Sequence, residues 1–116
     1  MCDNFHFAPG VKTGNLLLMS GQVGSDASGK CPEDFTEQFR LAFQHIEAIL
    51  TEAGGDLSNI VELTSYHIGM REHLREFIAV KDEMISEPYP AWTAIGCTEL
   101  AMPGAVVEIR AQAVLS

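Results

Sequence analysis

The chain is short of positive charge. Seven lysines and arginines stand against 16 acidic residues, for a formal net charge of −9. The seven are scattered as Lys12, Lys30, Arg40, Arg71, Arg75, Lys81 and Arg110. No basic stripe forms, and nucleic acids and anionic membranes both reward clustered cations, so neither is an expected partner. Long apolar runs are missing too. None approaches the ~20 residues that a membrane span needs, and the opening MCDNFHF has neither the basic start nor the apolar core of a signal peptide. Cysteine is sparse and odd in number: Cys2, Cys31 and Cys97 lie far apart with no CxxC. That pattern speaks against a disulfide framework and predicts reduced thiols in the cytoplasm. His6, His45, His67 and His73 show no HxxxH or HExxH spacing, so neither a metal nor a cofactor is expected.

What is present points to one globular domain spanning residues 1–116, since 47% of the chain is hydrophobic and its length suits a single core. Residues 5–12 and 16–23 (LLLMSGQV) read as strands around the turn residues Thr13-Gly14-Asn15. The polar stretch SDASGKCPE leads to a helix. Phe35, Phe39, Ala42, Phe43, Ile46, Ile49, Leu50 and Ala53 recur on it at helical spacing, with Asp34 and Glu37 placed as a capping box and Gly54-Gly55 as the stop. A strand is expected over 60–68, broken by Gly69. A second helix follows over 71–85, with Leu74, Phe77, Ile78, Met84 and Ile85 on its apolar side. Lys81 falls at the edge of that stripe, where its stem packs and its amine reaches outward. Strands over 91–101 and 105–115 close the chain. In the last one Val107, Ile109, Ala111 and Ala113 alternate with Val106, Glu108, Arg110 and Gln112. The order is ββα-βαββ, which predicts an α+β fold: a mixed sheet with two helices on one face. Several strands are apolar on both sides, so the other face is expected to be covered by a partner subunit.

Chemistry has few candidates. Glu108 lies mid-strand among apolar neighbours, where a carboxylate can hold a water and act as a general base; pairing with Arg110, two residues on, is the structural alternative. Ser20 and Gly21 end a strand in small residues, which lets a ligand or a turn approach the backbone. Ser20 has no GxSxG elbow to make it a nucleophile. Cys97 reads as a small apolar residue. His67 reads as a core-edge or interface residue, and His6, near the start of the first strand, as a residue that could line a cleft. The lone tryptophan, Trp92, follows Pro88 and Pro90 at the mouth of a strand.

The stretches SGQVG (20–24), EQFRLAFQHIEAILTEAGG (37–55), DLSNIVELTSYHI (56–68) and PAWTAIGCTELAMPGAVVEIRAQAV (90–114) resemble, in order, the RidA/YjgF family, also called endoribonuclease L-PSP. The resemblance covers nearly the whole chain. It implies a chorismate-mutase-like fold assembled as a homotrimer, with three clefts between neighbouring subunits. It also implies hydrolytic deamination of reactive enamines and imines, such as 2-aminoacrylate and 2-iminopropanoate, to 2-keto acids and ammonia.

Carried over residue by residue, Ser20 and Gly21 match the cleft wall, and Glu108 matches the acid that orients water. Other positions depart. The family's Pro-Ala-Arg-Ser segment, whose arginine clamps the substrate carboxylate, is here Pro90-Ala91-Trp92-Thr93. The family's early tyrosine aligns with Phe7, and an asparagine of the second helix aligns with Lys81. The ending YPAWTAIG…TELA is similar to a YjgH-like branch that carries tryptophan at this position. The expectation is a trimer binding a small organic molecule, with altered or no deaminase activity. Trp92 would supply a stacking wall and an indole N–H donor. The alternative is a deaminase or hydrolase of changed specificity, with Glu108 activating water and Lys81 or Arg110 supplying the cation. An endoribonuclease fits the negative charge poorly, and a chaperone-like role would need a large exposed apolar patch.

Overall fold

A computed structural model describes residues 8–116; Phe7 and His6 lie outside the described residues. Its elements are β1 (Gly10–Thr13), β2 (Leu16–Met19), β3 (Gln22–Val23), α1 (Phe35–Glu52), a 3-10 turn (Leu57–Asn59), β4 (Ile60–His67), α2 (Met70–Met84), β5 (Ala91–Gly96) and β6 (Val107–Val114). The expected order holds, with the two-residue β3 added. The sheet runs β1-β2-β6-β4-β5, and β3 pairs with β6 beside β2. Among the described residues only the β4–β5 pairing is parallel, which suits a connection made through α2. No helix is long and apolar enough to cross a membrane among the described residues.

Both helices form where the periodicity placed them. Asp34 caps α1 by accepting from the Thr36 N–H at 3.1 Å, and Gly54, at φ 89°, lets the chain leave it. The inner face of α1 buries Phe39, Ala42, Phe43, Ile46 and Leu50 against Leu17, Met19, Leu63 and the alternating β6 residues Val107, Ile109, Ala111 and Ala113. The buried face of α2 is centred differently from the expectation. Its fully enclosed positions are His73, Phe77, Val80 and Lys81, while Leu74 and Ile78 are half-buried on its flank.

Two strands fall well short of the expected length. LLLMSGQV is not continuous: Leu18 pairs with Gln112 and Gln22 with Ile109, so four residues advance on one strand against three on the other. The extra residue at Ser20–Gly21 is a bulge, and the Ser20 N–H turns away to donate to the Pro9 carbonyl. β5 stops at Gly96 rather than 101 because its partner β4 ends at His67, where the chain turns into α2. Beyond that point side chains take over from the ladder. The Gln38 amide, 1% exposed, donates to the carbonyls of Pro32 (2.7 Å) and Gly104 (2.9 Å) and accepts from the Val106 N–H (3.0 Å). Gly24 packs directly on this segment of α1: a methyl group there would stand 2.6 Å from the Gln38 Cα.

Candidate functional site

Strand register distributes the candidate residues over two faces. In β6, Val107, Ile109 and Ala111 point to the helices, so Glu108, Arg110 and Gln112 point to the open face. In β4 the helix side carries Leu63, Ser65 and His67. Trp92 lies beside Leu63 in the parallel pair and shares its side; Thr93 lies beside Thr64 on the open side. Within one protomer, Trp92 and Glu108 are therefore on opposite faces of the sheet.

The open-face group is Gly21 with Glu108. A methyl group at Gly21 would stand 2.8 Å from the Glu108 Cγ, so glycine is what lets the carboxylate side chain lie across the bulge. Glu108 is half-buried. Among the described residues the only ion pair is Arg40–Glu83 at 3.1 Å, so the alternative of a Glu108–Arg110 pair is not realised. The Ser20 hydroxyl donates to the Ala8 carbonyl at 2.7 Å. Thr93 and Arg110 are exposed across the same face, flanking Thr64.

The second group lies between the β4–β5 edge and α2. Residues 73, 77 and 81 are four apart and project from one side of α2. Each meets a residue of the sheet. The Phe77 ring packs edge-on against His67, with centroids 4.7 Å apart, and tilted against Trp92 at 5.9 Å. The Lys81 ammonium stands 4.9 Å from the Trp92 ring and 5.9 Å from that of Tyr89, within cation–π range of both. Lys81 is only 8% exposed, so its amine is held against aromatic faces instead of reaching outward as the stripe pattern suggested.

Trp92 also differs from expectation in one atom. Its indole N–H donates to the Ser65 hydroxyl at 2.8 Å, inside the protein, and so is not on offer to a ligand. The hydroxyl is in turn 2.8 Å from the His67 Nε2, and the His67 Nδ1 is 3.2 Å from the His73 Nε2. His67 is completely buried rather than at a core edge or an interface. Burial, helped by the neighbouring His73, pushes its pKa down from the usual 6.5 to about 4. Burial also lowers that of His73, against the opposing pull of Glu76 and Glu72. Both rings are neutral at pH 7, and the His73 Nδ1 is a buried polar atom with no partner. Sequence reading missed Ser65 and His73. The available signals were Ser65, alternating with Leu63 on the buried side of a strand, and His73, four residues before Phe77 on the apolar side of the second helix.

Among the described residues, a six-stranded mixed sheet carrying two helices on one face, with a glycine-lined carboxylate on the other, defines a two-layer α+β protein. The Endoribonuclease L-PSP family model matches residues 4–115, and the chain belongs to that family, the RidA/YjgF family. It is similar to the RutC family protein YjgH of Escherichia coli, 41% identical over 96 residues, covering 82% of this chain and 73% of that one. The solved structure of protein YjgH superposes with a TM-score of 0.91 at 36% identity, covering 99% and 88% of the two chains. RidA of an Antarctic Psychrobacter gives 0.89 at 32% identity, covering 94% and 88%. The 2-iminobutanoate/2-iminopropanoate deaminase of E. coli is 27% identical over 112 residues, covering 93% and 84%.

Proposed function

We propose that this chain forms a cytoplasmic homotrimer whose inter-subunit clefts bind a small organic molecule, and that its hydrolysis of 2-imino acids is weak or absent. The observation that carries this is Trp92. An arginine at this position would present a fork that grips a carboxylate at two points. The tryptophan is uncharged, and its single donor is already committed to Ser65. What it leaves for a ligand is an apolar ring surface. The two-faced placement supports assembly: Trp92 and Glu108 can contribute to one site only if a second copy brings its Glu108 wall to the Trp92 edge. The open sheet face supports this, since Val11, Leu18, Ile95 and Val114 are each more than a third exposed on it. The unpaired Cys31 and Cys97 suit a reducing cytoplasm.

A second reading is favoured by Lys81. Its ammonium is nearly buried over two rings, and among the described residues no carboxylate pairs with it. Such a cation can anchor a substrate carboxylate, which would make the protein a deaminase of altered specificity with Glu108 orienting water. One assay separates the two readings. 2-Iminopropanoate is generated in situ with an amino-acid oxidase and trapped with semicarbazide, and the loss of trapped product is measured beside the E. coli deaminase. Weak or no turnover is the expected result. Turnover comparable to that enzyme, lost in Glu108→Ala and in Lys81→Met, would overturn the first reading in favour of the second.

A further inference from the structure

The buried polar chain behind Trp92 has a direction. An indole N–H only donates, so the Ser65 oxygen accepts from it. The remaining Ser65 hydrogen then has one acceptor within reach, the His67 Nε2. That leaves the His67 proton on Nδ1, from which it is donated to the His73 Nε2. The His73 proton therefore sits on Nδ1, the one atom of the chain without a partner. The reverse arrangement has both Trp92 and His67 donating to Ser65. It would strand the serine hydrogen as well as the His73 Nδ1, two unmet groups in place of one. The forward arrangement wins on that count, and three bonds then point the same way, each polarising the next.

We propose that Ser65, His67 and His73 are positioning residues for Trp92. They form a one-way hydrogen-bond relay that holds the indole in a single orientation against Phe77, with its N–H turned away from whatever binds beyond the edge of β5. Plain packing would not place four polar groups here, since a fully buried histidine and serine cost free energy unless each is bonded. Phe77 supports the arrangement from α2, touching both His67 and Trp92. The bearing of the relay on ligand choice rests on the reading of Trp92 as a cleft wall; the relay itself does not.

The test uses the only tryptophan of the chain, whose indole gives a single N–H cross-peak in a ¹⁵N spectrum of the full-length, ligand-free protein. In the wild type this proton is expected downfield and slow to exchange with solvent. Ser65→Ala should move it upfield and speed its exchange at least tenfold, and Ser65→Thr, which keeps the hydroxyl, should restore both. His67→Phe should give an intermediate shift, because the serine remains but has lost its own acceptor. That variant carries the test if Ser65→Ala fails to fold. An indole signal unchanged in position and exchange in either variant, or no rescue by threonine, overturns the relay. The cleft reading fails separately, if the wild-type indole signal stays fixed when benzyl alcohol, an uncharged ring probe, is added in excess.

Discussion

Acid should weaken this fold through two buried histidines well before its carboxylates titrate. The perturbation is a drop from pH 7 to pH 5. His67 is neutral when folded because burial and the adjacent His73 hold its pKa at about 4, against 6.5 for the exposed group. In that interval the unfolded chain takes up a proton that the folded chain refuses, so stability falls as pH falls. The penalty begins as pH drops through 6.5 and is complete below about 4. For these two values the linkage relation gives a loss of about 2 kcal/mol from His67 between pH 7 and pH 5. His73 adds to it in the same sense, although Glu76 and Glu72 on its own helix limit its share. The other groups against the pair are the Ser65 hydroxyl and the Phe35, Phe39 and Phe77 rings, none of which carries a charge. Lys81 is about two turns beyond His73 along α2, at the far end of the site. Urea unfolding at one fixed protein concentration measures the effect, so that any self-association enters equally at each pH. His67→Phe should flatten the pH dependence by about 2 kcal/mol over the same interval, whatever its stability at pH 7. Parallel pH curves for wild type and variant would refute the assignment of a suppressed His67.

Four further outcomes follow. Trp92→Arg should raise 2-iminopropanoate hydrolysis by about thirty- to a thousand-fold in kcat/KM, the value of a two-point charged contact worth about 2–4 kcal/mol; no gain would show that more of the site has diverged. Gly21→Ala should displace the Glu108 carboxylate and lower any imine turnover while thermal unfolding shifts little, since the methyl meets the movable end of that side chain. Gly24→Ala meets the α1 backbone instead, so it should lower Tm sharply, which calorimetry would read. Phe77→Ala should cost about 3–5 kcal/mol in urea unfolding and also redden Trp92 fluorescence, because it empties a core position under the indole.

Much of the architecture was legible because it rests on periodicity. The α1 stripe from Phe39 to Leu50 and the alternation of Val107, Ile109, Ala111 and Ala113 each repeat at the period of their element. What escaped reading depends on pairing across the chain. The bulge at Ser20–Gly21 exists only relative to the β6 register, and the early end of β5 only relative to where β4 stops. The site splits along the same line. Glu108 and Gly21 were visible as a carboxylate in a strand and a small residue at a strand end. Their contact, and their separation from Trp92 by the thickness of the sheet, needed the register. The Trp92–Ser65–His67–His73 chain was hidden for another reason: each member has an ordinary local explanation, and only the fold makes Trp92 a neighbour of Ser65 across 27 positions.

Gln38 ties the loop before α1 to the loop before β6 through one amide. Surface loops generally tolerate insertions because lengthening them adds little closure entropy. These two are bound by a tighter condition, since the Pro32 and Gly104 carbonyls must both stay within reach of the same side chain. Insertions at either loop should therefore be accepted only toward the outside of these anchor points, between 25 and 31 or between 97 and 103. Relatives of different loop length are expected to have grown in those windows, with the spacing from each anchor to its neighbouring helix or strand unchanged.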